Sequence, residues 1–545
     1  MKQIISLAFI LFIMFYSIEI NSAASRPHQL ADEEKLSDFY QLVNQIKNGY
    51  GPKEYKKEKL GLDVDVLADE YVQKIKNAKN NGEFYSLIIK FVAEFQDGHF
   101  SAWMPTTYIA YLPFSVSLIQ DKALIEKVDR KELPKDIFPF DRGDELVSMN
   151  DKPVQKIIDE LLPYIATGNP RATRTGAANA LTLRPGRTFP VPSGDVKVTV
   201  KSRDNSRMYA IKLQWKHKGE QFDENILAAV KAIKVLLSSD ISETLTSSPT
   251  EFSIFDIDMK DSYSCNPHTR IAIPKDATIL MEEPFTAYYY PTAKGNVGYV
   301  RIPHYYPPDD DKDGQLDFEK WFEHYKWALD RMEKETIGLI IDQDHNCGGS
   351  VTYLENIAAL FMTGEFEPQH FQFRASKQQV LEFKSWLDEF DSKYYVEYDE
   401  IFEIYKLVED SFYKGLYLTP MTSFHGSRKL EGLGVYTKPV IILIDYFAGS
   451  GGDAFPAMMQ GLGRAKLLGT TTMGLGGNVI QMPPLFYSQL GTRMTQSLFF
   501  RPDGTPVENR GAEPDIPYEI TIEDFVNGFA DYQKFYTDEL LKLID

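Results

Sequence analysis

One serine stands among glycines in the stretch Tyr446 to Asp453, YFAGSGGD, between the apolar run PVIILID and the helix-like AFPAMMQGL. In the strand-to-helix turn of an α/β unit, such a residue lies at the edge where ligands bind. Small neighbours there let a substrate backbone come close. A helix starting at Gly452 or Asp453 would put Ser450 in its positive field and favour a developing oxyanion. The same residue type also caps helices without any chemistry. Ala448 stands where the G-x-S-x-G elbow has its first glycine, so that lipase motif is not met.

A serine hydroxyl is a weak nucleophile at neutral pH and needs an activating base. Among the nine histidines, His217 lies beside charged residues, His324 on an amphipathic helical pattern and His425 in a Gly-Ser turn, all settings that a structural role explains. His99, in FQDGHFSAWMP, differs: a glycine breaks the chain directly after a helix and before a strand-like segment. Asp342 to Val351, DQDHNCGGSV, ends a strand in a glycine pair. The N–H groups of Gly348 and Gly349 could face an anion, each such donor being worth about 3 kcal/mol in a transition state; the plain alternative is a strand-to-helix turn. Late in the chain, PDGTPVENRGAEPDIPYEI sets Glu508, Glu513 and Asp515 in a turn-rich segment. Any of them could orient a histidine, and each could equally be a solvated carboxylate.

Taken in this order, the four stretches resemble the S41 peptidases, the tail-specific or C-terminal-processing protease clan. Its D-x-x-x-N-x-G-G strand end is met by Asp342, Asn346, Gly348 and Gly349, and its E-x-x-G-x-x-P-D segment by Glu508, Gly511, Pro514 and Asp515. Many members pair the serine with a lysine in an F-G-K-G loop. Here that loop reads Met473-Gly474-Leu475-Gly476, and leucine cannot abstract a proton. A histidine-using subgroup has its base at the position matching His99 and a glutamate at the place of Glu508, not Glu513. The resemblance therefore implies a serine endopeptidase acting on proteins or peptides. Ser450 attacks, His99 moves the proton, Glu508 fixes the imidazole tautomer, and an acyl-enzyme forms. The oxyanion would rest on the N–H groups of Gly451 and Gly349, with Gly348 as runner-up, and no cofactor or metal takes part. The implied fold is α/β (α+β multidomain): an S41/ClpP-crotonase-like core, an N-terminal helical region and an inserted PDZ-like domain. RGDELVSMNDKPV resembles that domain's turn, although YLPF, Tyr111 to Phe114, replaces a G-L-G-F carboxylate loop. Two rivals stand beside the peptidase. The clan's fold also serves retinoid carriers, which implies a non-catalytic binder of apolar ligands or peptides, and small esters are the other substrate class.

The elements that must position these groups follow from patterning. Apolar residues three and four apart from about residue 30 to 95 predict helices. Residues 113–220 alternate as a β-rich module, with a turn at Asn150-Asp151, a helix opened by Pro153 and a hairpin in VKVTVKSRDNSRMYAIKLQW. Residues 221–290 read as a helix, ENILAAVKAIKVLL, then a polar linker; the part from 235 to 270 lies where the resemblance implies an inhibitory, cleavable insert and hence a zymogen. From 291 to 545, continuous apolar strands alternate with helices and predict a largely parallel sheet. The first 24 residues, a lysine, an apolar run and Ser22-Ala23-Ala24, read as a secretory signal, implying a secreted or periplasmic protein with no membrane contact after cleavage. The net charge of −19 argues against nucleic acid. The two cysteines, Cys265 and Cys347, read as free thiols. Asp309, Asp311, Asp313 and Gly314 match the start of a calcium loop, but Lys320 stands where a bidentate glutamate is required. Homodimerisation is implied by the resemblance alone.

Overall fold

The computed structural model describes residues 29–222, 266, 268–306, 318–389 and 397–544. The signal-like stretch, most of segment 235–270, Cys265 and the run Asp309 to Asp313 lie outside them. Four helices open the described chain: α1 (Asp32–Gly49), α2 (Lys53–Leu60), α3 (Val64–Lys76) and α4 (Asn81–Ala93). Helix α1 buries Phe39, Leu42, Val43 and Ile46, the spacing of a single helical face. The Asp63 carboxylate caps α3 by accepting from Asp65 N at 3.0 Å, and the Asn80 side chain caps α4 by accepting from Glu83 N at 2.9 Å. Aromatic edges then lock the segment after α4. Phe95 meets Phe100 at 5.1 Å and Tyr50 meets Phe100 at 5.2 Å between ring centroids. Such pairs add about 0.5–1.5 kcal/mol each beyond their burial, and they hold the chain on both sides of His99.

Directly after His99, the strand Ser101–Trp103 pairs antiparallel with Gly491–Thr495, which in turn pairs with Val479–Met482. This ladder stitches an early loop onto the late part of the chain. The β-rich module follows as a sheet in the order β1 (Phe114–Ile119), β2 (Lys122–Val128), β3 (Glu145–Met149), β4 (Asp195–Lys201), β5 (Met208–Gln214). Asn150 and Asp151 turn the chain after β3 with φ of 48° and 63°, and Pro153 stands at the N-cap of α5 (Val154–Leu161). Helix α6 (Pro170–Asn179) packs on β1, which is an edge strand.

The large sheet runs β6 (Thr278–Met281), β7 (Ala287–Thr292), β8 (Gly295–Arg301), β9 (Gly338–Asp342), β10 (Val440–Ile444), β11 (Lys466–Gly469), β12 (Ile516–Pro517). From β8 to β12 neighbouring strands are parallel; β6 and β7 add an antiparallel edge. These two edge strands fall in or across the stretch expected to be a linker. Strands β9 and β10 are buried at every position, as central strands covered on both faces must be. Leu339, Ile341, Ile442 and Ile444 face the core built with α7 (Phe318–Glu335), α8 (Val351–Ala359) and α11 (Gly451–Gly461), the hairpin of α9 (Lys377–Glu389) and α10 (Glu397–Tyr413) also packing there. Ile340, Ile441 and Leu443 face α12 (Ala530–Lys542). The loops leaving β9 and β10 therefore emerge side by side at one sheet edge, the edge that carries Gly348 and Ser450.

Candidate active site

Strand β10 is followed directly by Asp445, whose Oδ1 accepts from Phe447 N at 3.1 Å, Ala448 N at 3.0 Å and His345 N at 2.9 Å, folding the turn that precedes Ser450. Ser450 has φ 59° and ψ −115°, a conformation that costs a non-glycine residue strain and collects at functional turns. Asp453 holds it there. Its buried carboxylate accepts from Ser450 N at 2.8 Å, Gly474 N at 2.8 Å, Leu475 N at 2.9 Å and the Thr472 hydroxyl. Ser450 thus occupies the N-cap position of α11 and is at the same time held in a strained, aimed geometry; the two sequence readings do not exclude each other.

The Met473–Gly477 loop gathers the rest. Met473 N donates to Ala448 O at 2.8 Å, Gly476 N donates to Glu508 Oε2 at 2.9 Å, and the His99 ring is hydrogen-bonded to the Gly476 backbone. A side chain at Gly98 would meet Leu475 Cδ2 at 2.8 Å, and one at Gly449 would meet Leu475 Cδ1 at 3.1 Å. The residues just before His99 and just before Ser450 therefore lean on one leucine, and the same loop touches Glu508. No hydrogen bond joins His99 to Ser450 or to Glu508 among the described residues, and His99 Nδ1 is buried without a partner. Burial pushes the His99 pKa down to about 4 against the opposing charge of Asp97. The imidazole is neutral at neutral pH, as a general base must be.

Glu508 is fully buried. Burial and the nearby Asp97 charge push its pKa up, and Lys56, whose Nζ is paired with Glu508 Oε1, opposes them. Glu513 is instead exposed and paired with Arg510 at 3.2 Å, and Asp515 accepts from Leu467 N at 2.9 Å and pairs with Lys466 at 3.0 Å. Of the three late carboxylates, only Glu508 reaches the buried site.

The glycine pair packs against the serine turn. A side chain at Gly348 (φ 82°) would lie 2.6 Å from Ser450 Cβ and 2.9 Å from Gly451 N, which explains the glycine. The Gly348 N–H is already given to Asn346 Oδ1 at 2.8 Å, so the runner-up donor is committed. No hydrogen bond from the N–H of Gly349 or Gly451 is found among the described residues. Asn346 also donates to Ile302 O at 2.8 Å and accepts from Gly449 N at 2.9 Å, and Asp342 accepts from Arg301 Nη1 at 3.0 Å. The polar motif residues of this strand end therefore shape the turn. Cys347 is disulfide-bonded, which corrects the free-thiol expectation. The thiol reading failed because a single cysteine in a strand-end turn carries no sequence signal of what it bonds to. No group of three or more His, Cys, Asp or Glu side chains is disposed to hold a metal among the described residues.

Sequence reasoning missed Asp453, Asp97 and Lys56. Asp97 accepts from His99 N at 2.9 Å, Phe100 N at 3.3 Å, Tyr50 OH at 2.9 Å and Thr495 Oγ1 at 2.8 Å. Its place two residues before His99 was the one available hint, since aspartate commonly bonds backbone N–H groups just after itself.

Residues 296–518 match the profile of Peptidase family S41, and residues 108–226 match that of a PDZ domain. Residues 296–518 therefore carry a Peptidase family S41 domain, with a PDZ domain ahead of it. A Chlamydia pneumoniae protein is 24% identical over 577 residues, covering 95% of this chain and 92% of its own. Tricorn protease of Thermoplasma acidophilum is 34% identical over 106 residues, 19% of this chain and 10% of its own. In three dimensions the chain is similar to mature CPAF, the chlamydial protease-like activity factor, complexed with lactacystin: TM-score 0.77 at 21% identity, over 94% of this chain and 99% of that one. That likeness speaks to the fold.

Proposed function

We propose that this chain is a serine endopeptidase with Ser450 as nucleophile, His99 as general base and acid, and Glu508 as the carboxylate that orients the imidazole. The observation that carries the reading is the Met473–Gly477 loop, which is bonded to the Ser450 turn, to His99 and to Glu508 at once. His99 takes the Ser450 proton as Oγ attacks the scissile carbonyl, and the oxyanion settles on the N–H groups of Gly451 and Gly349. His99 then returns the proton to the leaving amine, and water repeats the sequence on the acyl-enzyme. Catalytic hydrogen bonds are often long in unliganded enzymes and tighten with substrate, so a short closure of His99 toward Ser450 belongs to this mechanism.

A cleft of about 800 Å³ between the edge strand β1, α6 and the turn Asp445–Phe447, lined by none of Ser450, His99 and Glu508, is a groove in which substrate polypeptide docks beside the site. An unpaired strand edge accepts an extended chain by main-chain hydrogen bonding. Export behind a cleaved signal, synthesis as a zymogen and homodimerisation complete the proposal. No helix among the described residues is long and apolar enough to cross a membrane. Digestion of casein by wild type, Ser450→Ala and His99→Ala, with mass spectrometry of the fragments, tests the core reading. Internal cleavages by wild type alone are expected, and undiminished cleavage by Ser450→Ala overturns it. Fluorophosphonate labelling at Ser450 separates the enzyme from a non-catalytic binder. Full activity of an intact single chain would argue against a zymogen.

A further inference from the structure

Helix α2 reads KEYKKEKL, a sequence that looks like a solvated surface turn, and Lys57, Glu58 and Lys59 are indeed exposed. Lys56 is the exception: it is completely buried. A lysine is almost never fully buried unless it is paired. Its ammonium is ringed by three acceptors: Glu508 Oε1, Asn509 Oδ1 at 2.6 Å and Gln96 O at 3.0 Å. Those acceptors come from the two segments that carry Glu508 and His99. Tyr55, next to Lys56, donates to the Glu508 carbonyl at 2.7 Å, so α2 grips that residue by both its backbone and its side chain.

The surroundings decide what the ammonium does. Around the Glu508–Asp97–His99 cluster that it enters lie Asn509 and Arg510 from the late turn, Arg493 and Thr495 from the paired strand, and Tyr50, Tyr55 and Tyr417. Burial raises all three tyrosines, so they remain neutral. Asp97 accepts four hydrogen bonds, the pattern of an ionised carboxylate. Glu508 likewise accepts on both oxygens, from Lys56 Nζ and from Gly476 N at 2.9 Å, so the fully buried set is two carboxylates against one ammonium, with a neutral imidazole beside them and the half-buried Arg493 at its edge. Without the ammonium, two buried carboxylates would face each other unpaired and one would take up a proton. A protonated Glu508 would donate to His99 Nδ1, leaving the ring proton on Nε2, the nitrogen that must accept from serine.

Resting on the triad reading above, we infer that Lys56 is a positioning residue for the reaction: it holds Glu508 in its charged, acceptor-only form and thereby keeps His99 in the tautomer that can take the Ser450 proton.

The test uses the full chain and two readouts against pH: kcat/KM on a peptide bond mapped in casein, and the rate of fluorophosphonate labelling at Ser450. Lys56→Gln is expected to lose about 100-fold in both at pH 7, in the range by which general-base catalysis contributes. The loss falls mainly in kcat rather than KM. Its acidic limb should move up by about one pH unit or more, so that part of the loss is recovered near pH 9, whereas Lys56→Arg keeps the wild-type limb. A purely structural lysine would lower activity equally at every pH, and that result overturns the inference, as does a Lys56→Gln profile matching wild type. Should Lys56→Gln not fold, the double variant Lys56→Gln/Glu508→Gln removes both buried charges together. It must then be as active as Glu508→Gln alone, and a further loss of more than about tenfold in the double variant, well beyond what independent additivity error allows, overturns the inference. If Ser450→Ala still cleaves and another residue is labelled, the triad reading has failed. If Ser450→Ala is inactive while Lys56→Gln behaves as wild type, only the role of Lys56 has failed.

Discussion

Two buried histidines in this molecule sit in opposite settings. His99 has its Nδ1 without a partner, and burial drives its pKa down to about 4. His425 lies between Glu400 and Glu355, each bonded to one ring nitrogen at 3.0 Å. Burial alone would lower its pKa, but the two glutamates outweigh burial and raise it. The difference is one of commitment. A ring with both nitrogens engaged is a charged cross-link, here joining α8, α10 and the loop after Thr422. A neutral ring bonded to no carboxylate is free to take and release a proton.

Exchanging each histidine should separate these roles, and the largest effect is on turnover. His99→Ala is expected to lower kcat/KM about 10⁴-fold, as loss of a triad member does, with a melting temperature close to wild type. His425→Ala should leave kcat/KM within about twofold and lower stability by about 1–3 kcal/mol, because it leaves the buried Glu355 carboxylate without its imidazolium partner, while Glu400 keeps Arg428. Denaturant unfolding together with casein cleavage reads both. Inactive His425→Ala with wild-type stability would erase the distinction.

The next effect is the sign of the pH dependence. His99 binds a proton more weakly folded than unfolded, so between about pH 6.5 and pH 4 the unfolded chain holds more protons and stability falls as the medium is acidified. His425 is the reverse: its folded pKa is raised above 6.5, so its contribution is complete below that value and is lost as pH rises through the folded one. Unfolding curves at pH 5 and pH 9 should therefore show the cost of His425→Ala shrinking toward pH 9. His99→Ala should instead blunt the loss of stability on acidification. Parallel pH slopes for the two variants would contradict the assignment.

What the sequence made legible follows the distance over which each feature is encoded. Strands GLIID and VIILI are continuous apolar runs up to the closing Asp342, and that local fact alone predicts buried parallel strands and a shared loop edge. Ser450, His99 and Glu508 were each ambiguous alone, and only the order of motifs in a family pattern singled them out. Lys56 left no trace, because it looks like its solvated neighbours and its partner Glu508 lies 452 residues away. Asp97 and Thr495, 398 residues apart, are joined only once Ser101–Trp103 pairs with Gly491–Thr495. Strands β6 and β7 were hidden in a stretch read as linker because TILM and AYYYPT are short and flanked by turn residues.

The smallest expected effect sharpens the contrast between buried and exposed carboxylates in the late turn. Glu508 and Glu513 are five residues apart in one segment, and sequence alone left both open as partners for a histidine. The Glu513 side chain is more than half exposed and pairs with Arg510, a surface pair worth about 0–1 kcal/mol. Glu513→Gln should accordingly keep kcat/KM within about twofold and stability within about 0.5 kcal/mol. Glu508→Gln, which leaves Lys56 buried without its counter-charge, should lose both activity and stability in the same assays. Activity that falls with Glu513→Gln and survives Glu508→Gln would move the orienting role to the exposed residue. It would also remove the reason for burying Lys56, because a glutamate in water needs no ammonium to keep its charge.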